Sequence, residues 1–152
     1  MLPPDAVRTI TIYPRYINQL TNIVKPLRRV LYNCSWEDKG ADIILNTGQI
    51  VKDTIFIRIF DNTSGSIYLP PHEWNKLSES ELDGYWTADL TLTSRPLIVG
   101  HESEFEFTAE TSTQVTAQEN TFRRENPDTA LVSQISVNQK AHGSHIRLVA
   151  GS

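Results

Sequence analysis

The chain has 152 residues, of which 39% are hydrophobic and 21% charged, and 18 acidic against 14 basic side chains give a net charge of −4. This composition is typical of one globular domain rather than a disordered chain, and the acidic balance argues against a surface that wraps nucleic acid. A single cysteine excludes an internal disulfide. The N-terminus lacks the pattern of an export signal, and no run approaches the ~18 apolar residues that span a membrane.

Alternation of apolar and polar residues dominates the chain and predicts half-buried β-strands, because successive side chains point to opposite faces of a strand. In residues 54–60 three isoleucines share one face, while Arg58 lies between two phenylalanines on the other. The predicted strands cover residues 9–13, 30–36, 41–45, 54–60, 86–93, 104–107, 130–137 and 145–149.

The predicted strand at residues 30–36 contains the cysteine. Alternation places Tyr32, Cys34 and Trp36 on one apolar face and turns Asn33 and Ser35 away from it. We therefore expect Cys34 to be a small core residue rather than a reactive thiol.

Glycine-containing turns separate the strands at short intervals, and helices do not alternate with them. This pattern predicts a mainly β fold, an antiparallel β-barrel or sandwich with one or two short helices. Residues 70–77 begin with two prolines and predict a short helix. Residues 111–126 fit either a helix or an extended loop, with Val115, Glu119 and Phe122 as a thin stripe. We expect residues 1–7 to be a flexible arm and residues 8–152 a single β domain.

The chemistry-bearing side chains form no recognisable constellation. His142 and His145 have a metal-ligand spacing, but on a strand or turn they point apart and lack a third ligand nearby. Glu102, Glu104 and Glu106 fall on the wet side of a predicted strand. No nucleophile elbow or phosphate-binding glycine loop is present. We therefore predict a non-enzymatic protein with no catalytic residue, no cofactor and no metal site.

Several sequence landmarks, taken in order, carry a family resemblance. They are TITIY at residues 9–13, CSWED at 34–38, TIFIRI at 54–59, YLPPHEWNKL at 68–77, IVG at 98–100 and GSHIRLV at 143–149. Together they resemble the minor capsid proteins of tailed phages and of prophages in Gram-positive bacteria, whose small β domains are similar to head-completion or stopper proteins.

The resemblance implies a structural virion protein that forms a homo-oligomeric ring in the neck, at the head–tail junction. It implies docking to a portal-side adaptor and to tail proteins, passing contact with DNA in the channel, and no membrane partner. The chain would be synthesised in the bacterial host cytoplasm. We expect the acidic balance to keep the channel wall from adhering to DNA.

Two polar, glycine-containing loops lie between strong strands, at residues 46–52 and 61–66, and we predict that one of them reaches a neighbouring subunit or the channel. The residues proposed for this role are Asn46, Thr47, Gly48, Gln49, Asp61, Asn62, Thr63, Ser64 and Gly65.

A decoration or tail-completion protein is the alternative within the same structural class, and two functions of other classes stay open. A carbohydrate-binding β module would use Trp74, Tyr85 and Trp86 as an exposed aromatic platform, although aromatics at such positions are more often core residues. An enzyme would need a cleft that brings His72 or His101 against carboxylates from distant strands.

Overall fold

A computed structural model describes residues 7–18, 20–38, 54–60, 63–92, 95–140 and 143–151. Within these ranges the chain forms ten strands and two helices. In chain order they are β1 (Arg8–Tyr13), β2 (Arg15–Ile17), β3 (Val24–Pro26), β4 (Arg29–Asp38), β5 (Thr54–Phe60), β6 (Ile67–Tyr68), α1 (Pro71–Trp74), β7 (Tyr85–Trp86), β8 (Leu97–Val99), α2 (Ser112–Glu125), β9 (Thr129–Lys140) and β10 (Gly143–Gly151).

Six strands close into an antiparallel barrel in the order β1-β4-β5-β10-β9-β8, with β8 returning to β1. Closure pairs the outer strands with each other and leaves this sheet without a free edge. The other four strands form two small sheets, an antiparallel β2–β3 pair and a parallel β6–β7 pair. The prediction of a mainly β fold, an antiparallel barrel or sandwich with one or two short helices, is confirmed, and the structure is a barrel with two helices.

Alternating side chains fill the barrel, as the sequence pattern predicts. On β5, Ile55, Ile57 and Ile59 point inward, and Arg58 is exposed on the outer side. Burying one such side chain contributes roughly 1.5–3 kcal/mol. The main core consists of Ile10, Ile12, Leu31, Cys34, Ile55, Ile57, Ile59, Trp86, Ala88, Ile98, Ala130, Val132, Ile146, Leu148 and Ala150.

A bulge in β4 makes the prediction for residues 30–36 partly wrong. The β1–β4 register shifts by one residue, and Asn33 has a positive φ of 56°. Asparagine tolerates this left-handed backbone better than most residues. The bulge turns Tyr32 outward, to 45% exposure, while Cys34 stays in the core and Ser35 is buried rather than exposed.

The strand predicted at residues 86–93 is also wrong over residues 87–92. After β7 the described residues do not continue the strand, because polar side chains form hydrogen bonds with backbone groups. The Thr87 hydroxyl donates to the Leu69 carbonyl at 2.7 Å, and Asp89 accepts hydrogen bonds from the backbone and hydroxyl of Thr91. Such local bonds compete with a strand ladder. The strand predicted at residues 41–45 lies outside the described residues.

Both helices lie outside the barrel. The prolines place Pro71 at the first position of α1, and Trp74 packs inward with its indole nitrogen donating to the Arg15 carbonyl at 3.0 Å. Residues 111–126, left open between helix and loop, form α2, capped by the Thr111 hydroxyl, which accepts a bond from the Gln114 amide at 3.2 Å.

The helix α2 covers the outer side of the wall formed by β1 and β8. Their contact forms a second apolar cluster, which lies outside the barrel interior. Its buried members are Tyr13, Leu97, Val99, Phe107 and Phe122.

We predict that Cys34 makes the protein lose stability in alkaline solution. Burial raises the pKa of Cys34 from about 9 to about 12, so the unfolded chain releases this proton first. The contribution is fully present below pH 9 and is lost as the pH rises toward 12. Denaturation of the wild type and of Cys34→Ala at pH 8 and pH 10.5 should show the wild type losing more stability. Equal losses would contradict the assignment.

Candidate docking surface

The two predicted partner loops are only partly described. Asn46, Thr47, Gly48 and Gln49 lie outside the described residues, as do Asp61 and Asn62. Thr63, Ser64 and Gly65 are described.

The end of the second loop is bound to the bulge in β4. The Tyr32 amide donates to the Ser64 carbonyl at 2.9 Å, and the Asn33 side-chain amide donates to the Thr63 carbonyl at 3.1 Å. Ser64 is fully buried, whereas Thr63 and Gly65 are exposed. Contact of this loop with a neighbour stays a prediction, and among its described residues Thr63 and Gly65 are exposed.

We predict that Gly65→Ala destabilises the protein more than Gly84→Ala does. Both glycines have a positive φ, of 90° and 83°, so each change carries backbone strain of about 1 kcal/mol. At Gly65 the added methyl would also lie 3.0 Å from the Tyr32 ring, whereas at Gly84 nothing lies within 4 Å. Urea denaturation measures the difference, and equal losses would contradict the Tyr32 contact.

The outer side of β5 and β10 carries two arginines. Arg58 and Arg147 are directly opposite each other in the antiparallel pairing, and both are exposed. Within the described part of the chain neither guanidinium has a carboxylate at ion-pair distance. Like charges that face each other across two strands cost stability, so the pair is not explained by the packing of the barrel.

Aromatic rings flank the two arginines on the same side. The Arg147 guanidinium carbon lies 5.2 Å from the centre of the Phe56 ring, a cation–π distance, and the rings of Phe60 and His145 are 6.0 Å apart. We call Phe56, Arg58, Phe60, His145 and Arg147 the arginine wall.

The neighbouring strand β4 adds Glu37 beside Phe56. Glu37 is exposed and has an interaction of its own. The arginine wall therefore combines two positive charges with flat apolar rings, a combination that is enriched in protein interfaces.

On the opposite side of the molecule an acidic segment follows β8. Residues 101–110 form no strand, contrary to the prediction for 104–107, although the glutamates do face solvent as expected. Side chains of β1 hold the segment instead. The Thr11 hydroxyl donates to the His101 carbonyl at 2.8 Å and accepts from the Ser103 amide at 2.7 Å, and the Tyr13 hydroxyl donates to the Phe105 carbonyl at 2.8 Å.

Among the described residues, the histidines do not form a cluster of side chains. His101 Nδ1 lies 2.5 Å from a carboxylate oxygen of Asp128, at the surface. No serine, threonine or cysteine accepts or donates at this imidazole in the described structure. His72 is exposed beside Glu73 on α1, and His142 is outside the described residues.

No three His, Cys, Asp or Glu side chains in the described ranges lie close enough together to hold a metal ion. No described helix is long and apolar enough to cross a membrane.

The aromatic platform suggested for sugar binding is not at the surface. Trp74 is 1% exposed and Trp86 is fully buried, and Tyr85 is half-buried. Two of its three members are therefore core residues, in line with the packing interpretation of these aromatics.

A buried ion pair between β2 and α2 was missed from the sequence. The Arg15 side chain is 2% exposed and pairs with Glu119, and it also donates to the Arg95 carbonyl at 2.7 Å. Glu119 interrupts the apolar stripe of α2, and this interruption is the signal that could have suggested a buried basic partner. Arginine is the residue best suited to such a site, because it supplies several donors in a fixed plane.

Comparison with known families matches residues 6–151 to a family of unknown function, DUF6751. Because the match covers nearly the whole sequence, the chain belongs to this family. Searches of the curated proteins and of the solved structures each found no match.

Proposed function

We propose that this member of the DUF6751 family is a structural virion protein of a tailed phage, which docks to other proteins and forms a ring at the head–tail junction. The arginine wall carries the docking part of the proposal. The virion role and the neck location are proposed from the sequence landmarks that resemble minor capsid and head-completion proteins.

The arginine wall supports docking for an energetic reason. Two opposed guanidinium groups repel each other in the isolated chain. The carboxylates of an acidic partner would attract both guanidinium groups and offset the repulsion between them. Complementary charge across an interface raises the association rate and selects the correct partner. The flanking phenylalanine rings add apolar area that a partner would cover.

The barrel supports a structural role through rigidity. Its closed hydrogen-bonding pattern fixes the position of β5 and β10, so the arginine wall is presented by a scaffold rather than by a loop. A preorganised surface loses little entropy on docking. Its binding partners would be a second copy, a portal-side adaptor and tail proteins, with passing contact to DNA in the channel.

Charge reversal on the arginine wall tests the proposal. We expect purified wild-type protein to gain mass in light scattering when it is mixed with the proteins encoded beside its gene, and to join heads to tails in an assembly assay. The double variant Arg58→Glu, Arg147→Glu should lose both activities while its circular dichroism spectrum stays unchanged.

The matched control is Arg123→Glu with Arg124→Glu, which makes the same charge change at the exposed end of α2. This control should assemble like the wild type. A wild-type protein that stays monomeric with every virion partner would overturn the proposal, as would normal head–tail joining by the Arg58, Arg147 variant.

A further inference from the structure

The segment after β8 presents a row of carboxylates, and the Arg28 side chain donates to the Ser103 carbonyl within this segment. Ser103, Phe107 and Ala109 are buried, and the residues between them face outward. We call Glu102, Glu104, Glu106 and Glu110 the acidic strip; all four are exposed, and none has a cation at ion-pair distance among the described residues.

The acidic strip is held in a fixed position by contacts on its buried side. Phe107 lies edge-on to the Tyr13 ring at 5.3 Å, and Phe105 lies 5.4 Å from the Phe122 ring of α2. With the hydrogen bonds from β1, these contacts order the backbone before any partner binds. Phe105 itself is 36% exposed, so an apolar edge lies within the row of carboxylates.

Strand order places the acidic strip and the arginine wall on opposite sides of the barrel. In the six-stranded ring, β8 is three positions from β5, and β1 is three positions from β10. The segment that carries the strip follows β8 and is bound by β1, whereas the wall is built from β5 and β10. The chain therefore carries opposite charge on opposite sides.

We propose that the arginine wall of one copy binds the acidic strip of a second copy. The two surfaces carry opposite charge and each has an apolar component, since Arg58 and Arg147 with Phe56 would face the glutamates with Phe105. The contact is heterologous, because one surface of a subunit meets a different surface of the next. Contacts of this kind repeat from copy to copy and produce a ring when the rotation closes.

This inference rests on the proposed function and identifies the partner of its docking surface. A second copy is favoured over DNA as the occupant of the wall, because the same chain supplies a complementary surface and its net charge of −4 repels phosphate.

Two variants, each with the charge of one surface reversed, test the contact separately and in mixture. One variant carries Arg58→Glu and Arg147→Glu, and the other carries Glu104→Arg and Glu106→Arg. Each variant alone would press like charges together, so its self-association at low salt should be roughly a hundredfold weaker than that of the wild type. An equal mixture of the two restores opposite charges at every contact and should recover the mass of the wild-type assembly.

The control for the second variant is Glu73→Arg with Glu125→Arg, which alters exposed glutamates outside the strip and should assemble normally. Failure of the mixture to recover mass would overturn the inference, as would a wild-type chain that shows no association at its highest soluble concentration, alone or with virion partners.

Two outcomes separate this inference from the proposed function. If only the wall variant loses binding to virion partners, and the strip variant assembles normally, the self-contact is wrong and the docking function stands. If fluorescence anisotropy shows a short duplex DNA bound by the wild type, released by the wall variant, with self-association unchanged, the wall binds DNA and the self-contact is again wrong.

Discussion

Replacing Phe122 by alanine is expected to lower the free energy of unfolding by about 3–5 kcal/mol, which is the usual cost of removing a buried aromatic side chain. Phe122 is 1% exposed and is the point at which α2 meets the barrel and the acidic strip. Its ring lies 5.3 Å from that of Tyr13, 5.4 Å from Phe105 and 5.9 Å from Phe107. Chemical denaturation followed by circular dichroism measures the loss.

The matched control is Thr121→Ala, which changes the exposed neighbouring residue of the same helix and should stay within about 0.5 kcal/mol of the wild type. If Phe122→Ala cost no more than Thr121→Ala, then α2 would not be packed on the barrel as described. Because Phe122 also supports the strip, a folded Phe122→Ala protein should self-associate more weakly than the wild type.

Replacing Glu119 by alanine is expected to lower the free energy of unfolding by about 3 kcal/mol, because it leaves the buried Arg15 charge without its carboxylate. The loss should lie at the low end of the range for broken buried pairs. Glu119 keeps 19% of its side chain exposed, and Arg15 retains the Arg95 carbonyl. Urea denaturation at neutral pH measures it.

A second variant separates the ion pair from the general effect of truncating α2. Glu125→Ala removes an exposed carboxylate of the same helix and should cost less than about 0.5 kcal/mol. The double variant Arg15→Met, Glu119→Leu should recover part of the loss, since it removes the buried charge with its partner. Equal losses for Glu119→Ala and Glu125→Ala would contradict the buried pair.

The barrel could be predicted because long stretches of its strands alternate between apolar and polar residues, and alternation depends only on local sequence. On β5 every second residue is an isoleucine, and the structure buries all three. Two of the wrong strand predictions have causes in side-chain hydrogen bonds that hydropathy does not report. In β4 the bulge at Asn33 depends on the loop that docks against it, and after β7 the side chains of Thr87 and Asp89 bind backbone groups that a strand would have used.

The candidate site could be predicted only in part, because the pairing register of the strands decides which charged residues lie next to each other. The sequence places Arg58 on the outer side of its strand, but only the β5–β10 pairing brings Arg147 opposite to it. The acidic residues were correctly placed in solvent, yet a strand was expected where hydrogen bonds from Thr11 and Tyr13 hold an irregular segment. Both surfaces depend on residues about 90 positions apart in the chain, and such contacts leave no local pattern.

The fold holds the arginine wall and the acidic strip in fixed positions relative to each other. The barrel sets the distance and direction between the two surfaces, and α2 with its aromatic cluster fixes the strip. Because exposed charges are screened beyond roughly 10 Å at 0.1 M salt, assembly that depends on them should weaken as ionic strength rises.

The most direct measurement is the mass, by light scattering at low salt, of the two charge-reversed proteins alone and in equal mixture. Head-to-tail docking predicts small species for Arg58→Glu, Arg147→Glu and for Glu104→Arg, Glu106→Arg separately, and recovery of the wild-type assembly when they are combined. A mixture that remains as small as its components would contradict docking between the wall and the strip.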